Sequence, residues 1–75
     1  MEIARMPVTN KVRYNRFLRD EMSQAELAEK IGVSRQTIVA IEKGNYNPSI
    51  ELALRLSRVL GTTVEELFQL GEETP

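Results

Sequence analysis

Apolar residues along this chain recur three and four positions apart in five separate runs, and most of the runs are bounded by residues that start or stop a helix. The first run, Val12, Tyr14, Phe17 and Leu18, offers i+3 and i+4 neighbours on one face with the arginines mostly elsewhere, and predicts helix 1 over 11–21. Ser23 then opens S-Q-A-E, a capping box in which the hydroxyl and the Glu26 carboxylate satisfy backbone N–H groups reciprocally, so helix 2 starts there. Its inward face reads Leu27, Ala28 and Ile31, and Gly32 falls where a left-handed residue ends a helix. Val33 follows as a plug. Ser34 can cap helix 3, whose buried positions Ile38 and Ile41 are three apart, and Gly44 stops it.

Asn45 to Pro48 read as a loop, after which Ser49 introduces helix 4 with the stripe Leu52, Leu56, Val59 and Leu60, ended by Gly61. In T-V-E-E, Thr63 and Glu66 repeat the capping-box pattern before Leu67, Phe68 and Leu70, which predicts a short helix 5 ending by Gly71. Residues 1–10 carry Pro7 and Asn10 and have no helical period, so they form an arm with room for a short strand. Residues 71–75 read as a tail. The expected fold is all-α, a compact five-helix bundle over residues 11–70 with a helix-turn-helix at 23–43.

Seventy-five residues allow one small core, and the absence of cysteine and histidine removes disulfides, thiolate zinc sites and the commonest general base. Acids scattered over capped helices assemble no catalytic constellation, so no enzyme and no cofactor is expected. Stability would come from helix packing, supplemented by a dimer interface. The N-terminus lacks the apolar stretch of a signal peptide, so a cytoplasmic protein away from membranes is expected. Net charge is −1 and the pI about 5.4, which at face value opposes a nucleic-acid partner. The distribution changes that picture, because residues 1–50 carry +2 and residues 51–75 carry −3. Arg5, Lys11, Arg13, Arg16 and Arg19 all precede Asp20, the first acid after Glu2, making the amino-terminal quarter locally basic.

Two short helices joined through a glycine cross steeply, and the second can enter the major groove of DNA while the first spans the backbone. With Ile38 and Ile41 inward, Arg35, Gln36, Val39, Ala40 and Lys43 fall on the outward side of helix 3. Arginine and glutamine suit bidentate contact with guanine and adenine edges, and the low apolar surface of Val39 and Ala40 lets the helix approach and touch thymine methyls. Gln24 lies in the first turn of helix 2, where N–H groups and the helix dipole meet a phosphate. Thr37, Lys43 and the loop residues Asn45, Tyr46 and Asn47 are candidates for further phosphate contacts, which set register rather than sequence preference.

The run S-Q-A-E-L-A-E-K-I-G-V-S-R-Q-T-I-V-A-I-E-K-G-N-Y-N-P-S resembles the Xre, or phage Cro and repressor, family of helix-turn-helix proteins, closely over residues 23–49 and more loosely over about residues 10–70. The resemblance implies a lambda-repressor-like five-helix domain that acts as a homodimer on an inverted-repeat DNA operator, commonly as a repressor. It places Gln24 at the family's phosphate-binding glutamine, Arg35, Gln36 and Ala40 at base-reading positions, and Thr37, Lys43 and Asn45 at phosphate contacts. It also implies that Glu42 pairs with a helix 1 arginine, Arg16 or its competitor Arg19, with Arg16 preferred. The dimer surface is expected at Val64, Leu67, Phe68 and Leu70, joined by a strand from Ile3 to Val8. No small-molecule effector site is evident. Alternatives on the same fold are an autoregulating antitoxin and a protein-interaction adaptor.

Overall fold

Four helices begin on a hydroxyl that captures an otherwise unpaired backbone N–H: Ser23 accepts from Glu26, Ser34 from Thr37, Ser49 from Leu52 and Thr63 from Glu66. In this computed structural model, which describes residues 8–71, the chain runs β1 (Val8–Asn10), α1 (Val12–Leu18), α2 (Gln24–Ile31), α3 (Arg35–Glu42), α4 (Ile50–Leu60), α5 (Val64–Leu67) and β2 (Phe68–Leu70). The box at Ser23 is complete, because the Glu26 carboxylate accepts from the Ser23 N–H. At Thr63 only half of it forms, since the Glu66 carboxylate instead accepts from the Thr62 hydroxyl at 3.1 Å.

The core draws on every helix, with Val12, Leu27, Ile31, Ile38, Ile41, Leu56 and Leu67 all but inaccessible to water. Each such side chain contributes about 1.5–3 kcal/mol by leaving water. Val33 fills the α2–α3 corner as a half-buried plug, and α2 packs on both α3 and α4. Helix α2 ends on Gly32, whose left-handed backbone returns its N–H to the Ala28 carbonyl, and the Arg55 guanidinium donates to the Ile31 carbonyl left over at that end.

Three sequence expectations change. Helix α1 stops at Leu18 rather than continuing to residue 21, because Asp20 and Glu21 both adopt φ of 54° and turn the chain so that the Met22 N–H reaches back to the Arg16 carbonyl. The inward face of α1 is Val12 and Arg16, whereas Tyr14, Phe17 and Leu18 are exposed. Helix α5 is a single turn. Lys11 N–H takes the Leu67 carbonyl, and Phe68–Leu70 then extends as β2 antiparallel to β1, with Val8 opposite Leu70 and Asn10 opposite Phe68. The five-helix domain therefore carries a two-stranded sheet, and the amino-terminal strand finds its partner in the segment expected to finish helix 5. Of the strand expected from Ile3 to Val8, only Val8 lies within the described residues.

Asn10 joins this sheet to the helices. Its side-chain oxygen accepts from the Val12 N–H at the start of α1, and its amide donates to the Ile41 carbonyl in the last turn of α3 at 2.8 Å. Arg19 braces the opposite end, with its guanidinium donating to the Leu60 carbonyl and lying against Gly61, which has φ of 67°.

Candidate nucleic-acid interface

The first turn of α3 is built to face outward. Ile38 and Ile41 lock one side into the core, the Ser34 cap fixes the start, and Arg35 and Gln36 emerge exposed at the N-terminal end. Neither side chain forms a hydrogen bond or ion pair with any other described residue. The Thr37 hydroxyl lies 3.1 Å from that of Ser34, so it is partly occupied by the cap. Val39 and Ala40 are half-buried outside the core cluster and leave a shallow surface one turn further on. Lys43 closes the helix and is exposed, as are Asn45, Tyr46 and Asn47 in the following loop.

Behind this face lies a charged network. The Arg16 guanidinium donates through Nε to Glu42 Oε2 at 2.6 Å, through Nη2 to Glu42 Oε1 at 3.0 Å, and through Nη1 to the Met22 carbonyl at 2.8 Å. Both side chains are about nine-tenths buried. The geometry is the bidentate fork that arginine forms with a carboxylate. Gln24 completes the cluster by donating from Nε2 to Glu42 Oε1 at 3.1 Å, so α1, the start of α2 and the last turn of α3 meet at one carboxylate. The amide of Gln24 carries two hydrogens, and this bond commits one of them. The guanidinium that reaches Glu42 is that of Arg16, because Arg19 is turned toward Leu60.

An open cleft of about 570 Å³ runs along the outside of this network, lined by Gln24 from α2, by Arg35, Val39 and Lys43 from α3 and its end, and by Arg13 and Phe17 from α1. Arg13 and Phe17 were not singled out by the sequence as parts of the interface. The Arg13 guanidinium sits 5.7 Å from the centre of the Phe17 ring, a cation–π contact across one helical turn. The signal that finds them is the i, i+3 spacing from Arg13 to Arg16: once Arg16 is fixed inward at α2, Arg13 flanks the same edge. Besides Arg16, three cations, Arg13, Arg35 and Lys43, thus line a cleft whose only acid among the described residues, Glu42, is already paired.

The residues expected at a dimer surface divide. Leu67 is fully buried in the core of its own chain, where α5 packs on α4, and offers nothing to a partner. Val64 and Phe68 are half-buried, and Leu70 is 65% exposed at the end of β2. No helix among the described residues is long and apolar enough to cross a membrane.

Comparison with known proteins is consistent with this geometry. A profile described as helix-turn-helix matches residues 16–67, which includes the whole Arg16, Gln24 and Glu42 cluster. An uncharacterised HTH-type transcriptional regulator of Methanocaldococcus jannaschii is 49% identical over 59 residues, covering 79% of this chain and 88% of the relative. The cryptic phage CTXphi transcriptional repressor RstR of Vibrio cholerae is 37% identical over 64 residues, covering 85% of this chain and 57% of the repressor. Among solved structures, the transcriptional regulator VanUg shares the fold with a TM-score of 0.73 over 97% of this chain and 96% of its own, at 22% identity.

Proposed function

The chain belongs to the helix-turn-helix family of transcriptional regulators, and from that membership we propose that it is a repressor that binds a short inverted-repeat operator as a homodimer and blocks transcription by occupancy. The observation that carries the proposal is the exposed start of α3, where the Arg35 and Gln36 side chains stand without partners among the described residues, beside a cleft rimmed by Arg13 and Lys43. Arg35 and Gln36 read base edges in the major groove, and Val39 and Ala40 keep the helix surface low enough for them to reach. Gln24, Thr37, Lys43 and the Asn45 to Asn47 loop hold the flanking phosphates. The repressor role is supported by the similarity to the phage repressor.

Selection of binding sites from a random DNA pool tests this directly. The expected product is a palindrome with half-sites about 34 Å, one helical turn, apart. Arg35→Ala should relax preference at one base pair and weaken binding by about 1–3 kcal/mol. Equal loss on all sequences would make Arg35 a phosphate contact, and failure to enrich any sequence would remove the specific-operator proposal. With two or three cations per protomer engaging phosphates, affinity should fall on the order of 10²–10³-fold between 50 and 200 mM salt.

A further inference from the structure

Helix α4 carries apolar side chains on two faces. Leu52, Ala53, Leu56 and Leu60 enter the core, while Ile50, 82% exposed, and Leu54, 57% exposed, point away from it. Four residues apart, they form one stripe, which Arg58 continues on the next turn and Glu51 flanks at its start. The stripe is one wall of an open groove of about 880 Å³, whose far side is Thr62, Thr63 and Glu66 at the entry to α5. The rest of that outer face is polar, so two adjoining large aliphatic side chains mark a contact surface rather than solvated helix.

Resting on the proposed homodimer, we propose that this stripe is where a second copy of the chain docks, with the two α4 helices antiparallel about a two-fold axis at Leu54. The charges favour a second copy as occupant. Glu51 lies three residues before Leu54 and Arg58 four after it, so an antiparallel pair brings Glu51 of each protomer beside Arg58 of the partner subunit, twice by symmetry. Arg58 has no carboxylate partner among the described residues of its own chain, while Glu51 is exposed and bridges to Arg55 at 2.6 Å. Antiparallel helices also set opposite ends of their dipoles side by side. Ile50 follows directly on the loop assigned to phosphates, so this interface would adjoin the proposed DNA-binding surface. This moves the interface from Val64, Phe68 and Leu70 to α4.

Sedimentation equilibrium on the full chain, without DNA, decides it. Wild type should be a dimer, and Ile50→Lys with Leu54→Lys should be monomeric at concentrations at least about a hundredfold higher, with unchanged helical circular dichroism because neither side chain is in the core. Arg58→Glu should raise the dissociation constant about tenfold, and adding Glu51→Arg should recover most of it. Should the double lysine variant unfold, the charge exchange still decides, since both positions are exposed. Leu70→Lys should leave the dimer intact. A monomeric wild type, an unaffected double lysine variant, no recovery on charge exchange, or dissociation by Leu70→Lys would each overturn the α4 interface. A dimer that selects no DNA would instead count against the operator proposal alone.

Discussion

Removing Glu42 tests how α2 and α3 are held. In Glu42→Ala the Arg16 guanidinium keeps its bond to the Met22 carbonyl and loses both bonds to carboxylate, and Gln24 loses its anchor. A nearly buried charge left without its partner costs about 3–5 kcal/mol. A domain of this length is stable by about 4–11 kcal/mol, so that loss is a large share of the total. At roughly 4–8 °C per kcal/mol for a small domain, Tm should fall on the order of 20 °C. Arg16→Met combined with Glu42→Leu removes both charges and keeps most of the volume, and should return to within about 2 kcal/mol of wild type. Urea unfolding followed by circular dichroism measures both. The double variant should then be folded yet weakened toward DNA, because nothing fixes the Gln24 side chain at the entrance to the cleft. A Glu42→Ala loss below about 1 kcal/mol, or a double variant no more stable than the single one, would refute the assignment of the buried pair as tightly coupled. A double variant that binds DNA like wild type would refute the positioning of Gln24.

Three further outcomes follow from the same geometry. Arg13→Ala should weaken DNA binding uniformly across sequences and reduce the salt slope by about 1 per protomer, read from fluorescence anisotropy titrations; a change in sequence preference would make it a base contact. Gly44→Ala and Gly61→Ala both place a side chain at positive φ, at a cost of about 1–2 kcal/mol. Only the Cβ at position 61 would collide with the Arg19 guanidinium and break its bond to the Leu60 carbonyl, adding about 0.5–1.5 kcal/mol, so equal urea midpoints for the two variants would show that the Arg19 contact contributes nothing. Ser23→Ala removes one capping hydroxyl and should cost about 1 kcal/mol by thermal unfolding; an unchanged Tm would mean that water caps α2 equally well.

The helix starts were legible because each depends on one hydroxyl and the next turn. Ser23, Ser34, Ser49 and Thr63 act locally, and so do the glycines at 32 and 61. What failed depends on residues distant in sequence. Tyr14, Phe17 and Leu18 look like a buried face because they are apolar, yet the position one turn after Val12 is taken by Arg16, whose burial is tolerable only through Glu42, 26 residues away. Phe68 to Leu70 alternate over too few residues to announce a strand, and their partner is some 60 residues upstream. Asp20 and Glu21 carry no glycine signal for the left-handed turn that ends α1. Of the interface, the outward residues of α3 could be read from the periodicity of Ile38 and Ile41 alone. Arg13 and Phe17 were missed, since the face of α1 had been assigned to its apolar residues and the spacing from Arg13 to Arg16 tells only once Arg16 is placed inward.

The buried pair also bears on why an acidic chain can present a cationic cleft. An apolar pair of equal volume would hold α1 to α3 about as firmly, so stability alone does not explain an arginine there. What the carboxylate of Glu42 adds is direction. One oxygen receives both Arg16 and Gln24, which fixes the first turn of α2 relative to the end of α3 in a single geometry. Because Arg16 neutralises Glu42 within the protein, the cleft's only acid among the described residues does not oppose Arg13, Arg35 and Lys43 at its rim. The acids of α4 and α5, Glu51, Glu65 and Glu66, lie on elements that do not line this cleft. At physiological ionic strength, charges more than about 8 Å apart are largely screened, so a phosphate entering beside Gln24 responds to the local cations and not to the net charge of the chain.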